Sequence, residues 1–547
     1  MSAISSLNIL GLVARKAAKQ GIAMTWVAAL LMALMVGAGP VVARTPATAL
    51  SNEARTAAYL DRIVHSSPRL RIFLQAMPKG GDLHNHAGGA NFAEDYLRWA
   101  AADGLCISTV TYHIVEPPCT PPEHIPAAGL ERTYPHYSRA IDAFSTRGFE
   151  AGVGDPEVSG YDRFFATFDA FGPAYSRHVG EAMALTRRQA AADHVSYVEL
   201  GSGARAGWLL GMKMADADAS DLAALYARIA PLLPDAVASA RADYDGYDAQ
   251  GAKFNGCGTA DREPACDVAM RYLYTAIRTN PPAQVFAQLA FGFALADADP
   301  RFVGVNIAAP EHDPVAVRDY ALHMQMIAFL KARHPKVQLS LHAGELTLGL
   351  VPSRDLSFHI RDAVQIAGAR RIGHGIDIAY ETDAPALLAQ MARDQVVVEI
   401  NLTSNAVILG VKGSDHPLSL YREAGVPVVL STDDEGVSRS DMTNEYLRAV
   451  TEQGLRYADL KQIVRNGLHY SFLPGDSLWQ DRPGGARAAA CVSMDAPGCG
   501  AWLAKNVKAA AQARLERDLQ AFEAGHLEEP LDLRVGSTVR IEAAWKE

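Results

Sequence analysis

Residues 78–90 read Pro-Lys-Gly-Gly-Asp-Leu-His-Asn-His-Ala-Gly-Gly-Ala, a strand-like run that ends in His84 and His86. Alternate side chains of a β-strand share a face, so imidazoles at i and i+2 point the same way and can reach one metal ion. A lone His-x-His is a weak signal in a chain with 17 histidines. Three further segments repeat the form. Residues 337–345 (VQLSLHAGE) carry His342 and Glu345, residues 371–378 (RIGHGIDI) carry His374, and residues 427–436 (PVVLSTDDEG) carry Asp433 and Asp434. Taken singly, each polar cluster reads equally well as a turn or a helix cap. Taken together, all stand at the C-terminal end of an apolar strand, the end at which a (β/α)8 barrel builds its active site.

Working outward, further strands are expected at 195–200, 268–276, 302–307 and 396–401. With those that carry the motifs they make eight, and helical patterns such as 314–333 and 384–393 lie between them. Asp313 followed by Pro314 is a helix start, cap and then first-turn proline. Eight strands alternating with helices predict an α/β fold, a TIM barrel. An open doubly wound sheet is the rival, but it would not bring the first and eighth strands to one site. Residues 52–77 read as a helical extension before the first strand, and 455–547 as helical apart from a Gly/Pro/Cys loop near 474–500. The Tyr- and Gly-rich stretch 244–266 is expected to be loop. Residues 106–160, rich in Pro, Gly, His and aromatics, are expected to form a long insertion or lid over the barrel mouth. Trp99, Tyr134, His136, Phe144 and Phe164 are candidates to line it.

The N-terminus reads as a targeting segment. Arg15, Lys16 and Lys19 precede an apolar run at 22–42, and small residues and Pro40 lead to Ala43. That is the order of a signal peptide with cleavage near Ala43. The run is also long enough for an uncleaved anchor, in which case the chain would sit on a membrane. The expected organisation is a signal segment over 1–43 and one barrel domain over 44–547. Six cysteines fall in three close pairs, Cys106/Cys119, Cys257/Cys266 and Cys491/Cys499. Behind a signal-like segment they read as three loop-stapling disulfides in an oxidising compartment, periplasmic or extracellular. A net charge of −10 lacks the basic face that nucleic-acid binding wants.

Nitrogen and oxygen ligands without thiolate suit zinc, with iron, cobalt or manganese as alternatives. His84, His86, His342 and Asp433 are the expected ligands of one ion, leaving a position for a water whose pKa the ion lowers toward neutrality. His374 is then placed to orient or deprotonate that water, and Glu345 to shuttle a proton. Asp434 follows Asp433 directly and in an extended chain points elsewhere, toward substrate.

The set DLHNH, SLHAGE, RIGHG, SN and STDDEG resembles the adenosine deaminase family of the amidohydrolase superfamily. The MPKGGDLHNH opening, the insertion and the export signal are similar to its secreted, growth-factor-related branch and bacterial relatives. The likeness runs over about 70–475. It implies a (β/α)8 barrel, one Zn2+ per chain, and hydrolytic replacement of the 6-amino group of adenosine or 2′-deoxyadenosine by oxygen, with release of ammonia. By position, the resemblance assigns the zinc to His84, His86, His342 and Asp433. It assigns protonation of purine N1 to Glu345, activation of the attacking oxygen to His374, and contact with purine N7 to Asp434. Glu199 resembles a position supporting the barrel mouth. Ser404 and Asn405 are candidates to stand behind the site.

The sequence also departs from the family. Ala87-Gly88-Gly89 replaces the usual Leu-Asp-Gly, whose aspartate contacts the ribose, so Gly88 stands at a sugar contact. The strand-four motif reads Gly304-Val305-Asn306-Ile307-Ala308-Ala309-Pro310-Glu311, which puts Ala309 where a glycine approaches the purine. Asn401-Leu402 replaces Cys-Pro. Two rival functions remain. A different amidohydrolase, acting on another aminated ring, often uses a second metal bridged by a strand-four lysine, and strand four here ends without lysine. A non-catalytic extracellular binding protein would not need Glu345 and His374. The expected partner is a small nucleoside, and a homodimer stays open.

Overall fold

The computed structural model describes residues 50–149 and 158–525. The apolar run at 22–42 and the end of the chain after 525 lie outside them. No helix among the described residues is long and apolar enough to cross a membrane.

The described residues form eleven strands: β1 Gly80–His86, β2 Cys106–Ser108, β3 Ile114–Val115, β4 His124–Pro126, β5 Val195–Ser202, β6 Ala269–Ile277, β7 Phe302–Ala308, β8 Gln338–Ala343, β9 Arg371–His374, β10 Val397–Ile400 and β11 Val428–Leu430. Eight of them form one sheet in the order β1-β5-β6-β7-β8-β9-β10-β11. Its pairings are parallel, with helices between successive strands, as a (β/α)8 barrel requires. The ring closes just beyond β11. The Asp433 amide donates to the His84 carbonyl at 2.8 Å, and the His86 amide donates to the Asp433 carbonyl at 3.0 Å. All eight expected barrel strands are therefore present, and the rival open sheet is excluded by this closure.

Three charged residues inside the barrel anchor its wall. Arg371, buried at the start of β9, bonds Glu199 of β5 and Glu399 of β10. Glu199 also accepts the Tyr197 hydroxyl and the Phe472 amide. Buried charges persist only when paired and hydrogen-bonded in this way. Glu199 is thus a strut within the barrel, below the mouth it was expected to support. The helix Pro314–Lys331 starts as its sequence predicts, with the Asp313 side chain accepting the Val315 amide.

Two expectations fail. The stretch 244–266 is not all loop, because the helix Leu233–Phe254 runs through Tyr244. Val237, Ala240 and Tyr244 repeat at helical spacing and are buried, and this packing outweighs the weak helix propensity of Gly246 and Gly251. The described part of the insertion after β1 does not line the cavity described below either. It folds as a small antiparallel sheet, β3-β2-β4, and a helix Tyr134–Ala143. Trp99 stacks on His178, Phe144 packs in a second apolar core, His136 meets the Tyr112 hydroxyl, and Tyr134 faces solvent. Of the five aromatic candidates, Phe164 alone reaches the cavity described below, from the following helix Gly160–Tyr175.

The six cysteines form the three local disulfides, Cys106–Cys119, Cys257–Cys266 and Cys491–Cys499. Closing loops of this length contributes on the order of 2–3 kcal/mol each in the chain-entropy picture. Peptide mapping of the protein without reductant is expected to recover these three linked pairs and no free thiol. A free thiol, or a link between two of the loops, would contradict the pairing.

Candidate active site

The strand ends bring the predicted residues together. His84, His86, His342 and Asp433 each offer a ligand atom, all within 4.8 Å of one another, and a second such group joins Glu345, His374 and Asp433. Eight non-glycine residues among those described have positive φ, and three of them stand here: Ala309 at 90°, His374 at 68° and Asp433 at 60°. Such conformations cost free energy and persist where surrounding contacts over-determine them, commonly at functional sites. For Asp433 the over-determining contacts are the two hydrogen bonds that close the barrel.

Each metal-facing imidazole is oriented from behind. His84 Nδ1 meets Glu399 Oε2 at 2.7 Å, His86 Nδ1 meets Asp434 Oδ2 at 2.9 Å, and His342 Nδ1 meets Asn306 Oδ1 at 3.0 Å. The Asn306 amide is itself fixed, because its Oδ1 also accepts the amides of Ile307 and His342. An acceptor on Nδ1 places the proton there and leaves Nε2 bare, the usual arrangement of a ligating histidine. The cluster fits a cation on two further counts. Nε2 of His84 and of His86 and Oδ1 of Asp433 are buried without a hydrogen-bond partner. Burial opposes a charge on His84, yet Asp433 and Glu399 hold its imidazole up to about 10. The pocket thus demands a positive charge between these groups, which a divalent ion supplies in place of the proton. Burial also opposes ionisation of Asp433, but His84, His86 and His374 outweigh it and hold the carboxyl far below its usual range. Ser404, one of the two residues expected behind the site, donates to Asp433 Oδ2 at 2.6 Å.

Glu345 is held differently. Burial, with the negative charges of Asp433 and Glu311 adding to it, drives its carboxyl well above the ordinary range, so it carries a proton. Gly344 makes the turn after β8 at φ +74°, where a glycine has no steric penalty. The amides of Gly344 and Glu345 donate to the Glu311 carboxylate at 3.1 and 2.9 Å. The Gly344 carbonyl accepts the amides of Ile376 and Asp377. One peptide thus ties the proton-bearing acid to the segment after His374. Glu311 is steadied by His359 at 2.6 Å and Arg278 at 3.6 Å.

A cavity of about 650 Å³ opens on this cluster, within the usual range for small-molecule sites. His86, His342, Glu345, His374, Asp433, Asp434 and Ala309 line it, with Phe164, Phe165, Phe168 and Trp208 as an aromatic wall. Asp434 shares it with Asp433, so the adjacent aspartates do not diverge as an extended chain predicts. The φ of Asp433 breaks the alternation. Gly88 does not line the cavity, contrary to its expected place at the sugar. The chain turns back after β1, where the amides of Gly89 and Ala90 both donate to the His86 carbonyl, and the Gly88 carbonyl accepts the Tyr96 hydroxyl.

The sequence gives no role to Asn306, Glu311 and Asn401, which stand in its motifs, and does not single out Glu399. Glu399 left a signal, a lone acid in the apolar strand VVVEI. The others show their partners only once folded.

Residues 240–479 match the family model described as adenosine deaminase. An adenosine deaminase of Shewanella loihica is 34% identical over 146 residues, 26% of this chain and 41% of that protein. One from Enterococcus faecalis is 35% identical over 146 residues, 26% of this chain and 40% of that protein. The chain therefore matches about two fifths of the length of these curated relatives. The crystal structure of Arabidopsis ADAL complexed with IMP aligns with 82% of this chain and 99% of its own, at TM-score 0.50 and 16% identity. That likeness is one of fold.

A methyl on Gly89 would stand 2.0 Å from Asp434 Oδ1, so Gly89→Ala must push Asp434 off His86. Loss of such a support typically costs about 10- to 100-fold in metal affinity or activity. Chelator competition is expected to show a loss of this size, with the circular dichroism spectrum unchanged. Wild-type metal affinity and turnover would show that Asp434 does not steady His86.

Proposed function

We propose, for this member of the adenosine deaminase family, the hydrolytic deamination of an uncharged 6-aminopurine, adenosine or 2′-deoxyadenosine above all, with one zinc ion held by His84, His86, His342 and Asp433. The observation that carries the reading is the meeting, in one cluster that opens on the cavity, of three imidazoles each with Nδ1 against an acceptor and a buried acid held well above the ordinary carboxyl range. A divalent cation bound there would supply Lewis-acid polarisation of water and lower its pKa toward neutrality.

The chain's own residues account for the remaining chemistry. Glu345 gives its proton to the ring nitrogen beside C6, N1 of the purine, and so draws electron density from C6. Water adds its oxygen at C6, the exocyclic nitrogen takes up protons, and ammonia leaves. The balance is adenosine plus water to inosine plus ammonia. His374 faces the same space and orients the attacking oxygen. Burial with Asp433 beside it pushes Asp434 up to about 6, although His86 opposes this. In its protonated form, which this upward shift makes more accessible near neutral pH, Asp434 can donate to N7, which has only a lone pair to offer. The aromatic wall buries the purine faces and excludes water.

The lining also speaks to substrate charge. Among its described residues there is no lysine or arginine, while Asp169, Glu345, Asp433 and Asp434 are acidic. A phosphate would find no counter-charge there, which favours a nucleoside or free base over a nucleotide. Asp169, on the helix Gly160–Tyr175, is the lining carboxylate outside the metal and proton-transfer cluster. It is the candidate to accept a sugar hydroxyl in place of the aspartate missing at Gly88. Export to an oxidising compartment accords with the three disulfides.

The test is ultraviolet assay of adenosine, 2′-deoxyadenosine, 5′-deoxyadenosine, adenine and AMP. The expected order has the nucleosides first and AMP last. Glu345→Gln should retain the metal and lose about 10²- to 10⁴-fold in kcat, the scale of a general acid. Preferred turnover of AMP, or near-normal kcat in Glu345→Gln, would refute this reading of the cavity.

A further inference from the structure

The orientation of the His374 ring can be read back, donor by donor, to a backbone amide. Leu418 opens the helix Leu418–Glu423, and its N–H donates to Nδ1 of His416 at 3.1 Å. A peptide N–H can only donate, so Nδ1 of His416 is its bare nitrogen. Burial, with Arg448 nearby, pushes His416 down to about 3, which leaves the ring neutral with its proton on Nε2. That Nε2–H donates to Oδ1 of Asn405 at 3.2 Å. With Oδ1 so engaged, the amide turns its Nδ2 toward His374 and donates to Nδ1 of that ring at 3.0 Å. Asn401 brings a second Nδ2 to 3.4 Å from the same atom. All four side chains are buried, so bulk water offers no competing partners.

His374 therefore receives hydrogen bonds on Nδ1 and carries its proton on Nε2. That Nε2 faces the cavity, 3.7 Å from Glu345 Oε1 and 4.0 Å from Asp433 Oδ2. The other three imidazoles of the site have the reverse polarity, with Nδ1 against an acceptor and Nε2 bare. This difference explains why a fourth histidine, its ring centroid 5.0 Å from that of His84 and 5.2 Å from that of His342, stands beside the metal ligands without being one. A ring that presents N–H cannot ligate.

We propose that Asn405 and His416 are positioning residues that lock His374 in its Nε2–H tautomer, so that it meets the reaction as a hydrogen-bond donor to the oxygen added at C6. No proton leaves His374 in this role. The part concerning C6 rests on the reaction proposed above, whereas the tautomer does not.

The experiment uses the full chain with its histidines labelled with ¹⁵N, and the His374 resonances are assigned by their absence in His374→Asn. In the wild type, Nδ1 of His374 is expected at the shift of a bare ring nitrogen and Nε2 at that of a protonated one. Asn405→Asp replaces the donor with an acceptor and should exchange the two shifts. A wrong histidine tautomer has cost about 10⁴-fold in kcat in a serine protease, and here a loss of about 10²-fold or more is expected. KM should stay within about 3-fold and metal content should be unchanged. Because Asn405→Asp also buries a new carboxylate, His416 supplies a second pair of variants. His416→Gln keeps a donor for Asn405 and should retain most of kcat, whereas His416→Leu should lose it and show mixed tautomers.

A protonated Nδ1 on His374 in the wild type would overturn the proposal. So would equal kcat in His416→Gln and His416→Leu, or unchanged shifts in Asn405→Asp. Absence of turnover by the wild-type chain on every aminopurine would fall on the reaction instead, and the shifts would still decide the tautomer.

Discussion

The site depends on one pair of peptide hydrogen bonds, between the backbone of Asp433 and those of His84 and His86. They are the last rungs of the barrel, joining its first strand to the end of its eighth. They also fix the spacing of three of the four candidate metal ligands. Asp433 must adopt a left-handed backbone to make them, a strain that isolated sequence would not choose. Fold closure and site assembly are thus one event. A change that opens the barrel at this seam disperses the ligands, and one that repacks the far side of the barrel leaves them in place.

Around that seam, the barrel supplies each reactive side chain with a partner that decides its protonation. Glu399 of β10 reaches past β11 to turn His84 inward, Asn306 of the neighbouring β7 does so for His342, and Asp434 does the same for His86. Glu399 is itself held by Arg371 and Ser340, so the orientation of His84 continues into the ion pairs of the barrel interior. On the opposite rim, Glu311 fixes the peptide that carries Glu345, and its negative charge helps keep that acid protonated. The same side-chain types, histidine and carboxylate, take up unlike roles because different neighbours stand behind them.

Much of this was legible in the sequence because the chemistry is concentrated at strand ends. His84, His86, His342, His374, Asp433 and Glu345 each follow an apolar run, and the eight runs come in the order of a barrel. Ser404 and Asn405 were legible as polar residues beside the site, though not their partners, since Asn405 reaches His374 only through a turn of helix after β10. Glu399, Asn306 and Glu311 were hidden for the same reason, because a supporting residue is defined by a contact across 33 or more positions of chain. The helix through Tyr244 was hidden by its glycines, whose local preference yields to the burial of one face. Gly88 misled by position. A motif alignment assigns it to the sugar, but the turn that follows His86 carries it away from the cavity.

On the proposed ligation, the closed barrel presents three imidazoles and one carboxylate to a single ion. X-ray absorption at the zinc edge, on protein loaded with zinc, measures that shell directly. The expected first shell is nitrogen and oxygen only, with the multiple scattering of three imidazole rings and no neighbouring metal. A sulfur neighbour, a metal–metal distance, or scattering from fewer than three imidazoles would contradict it.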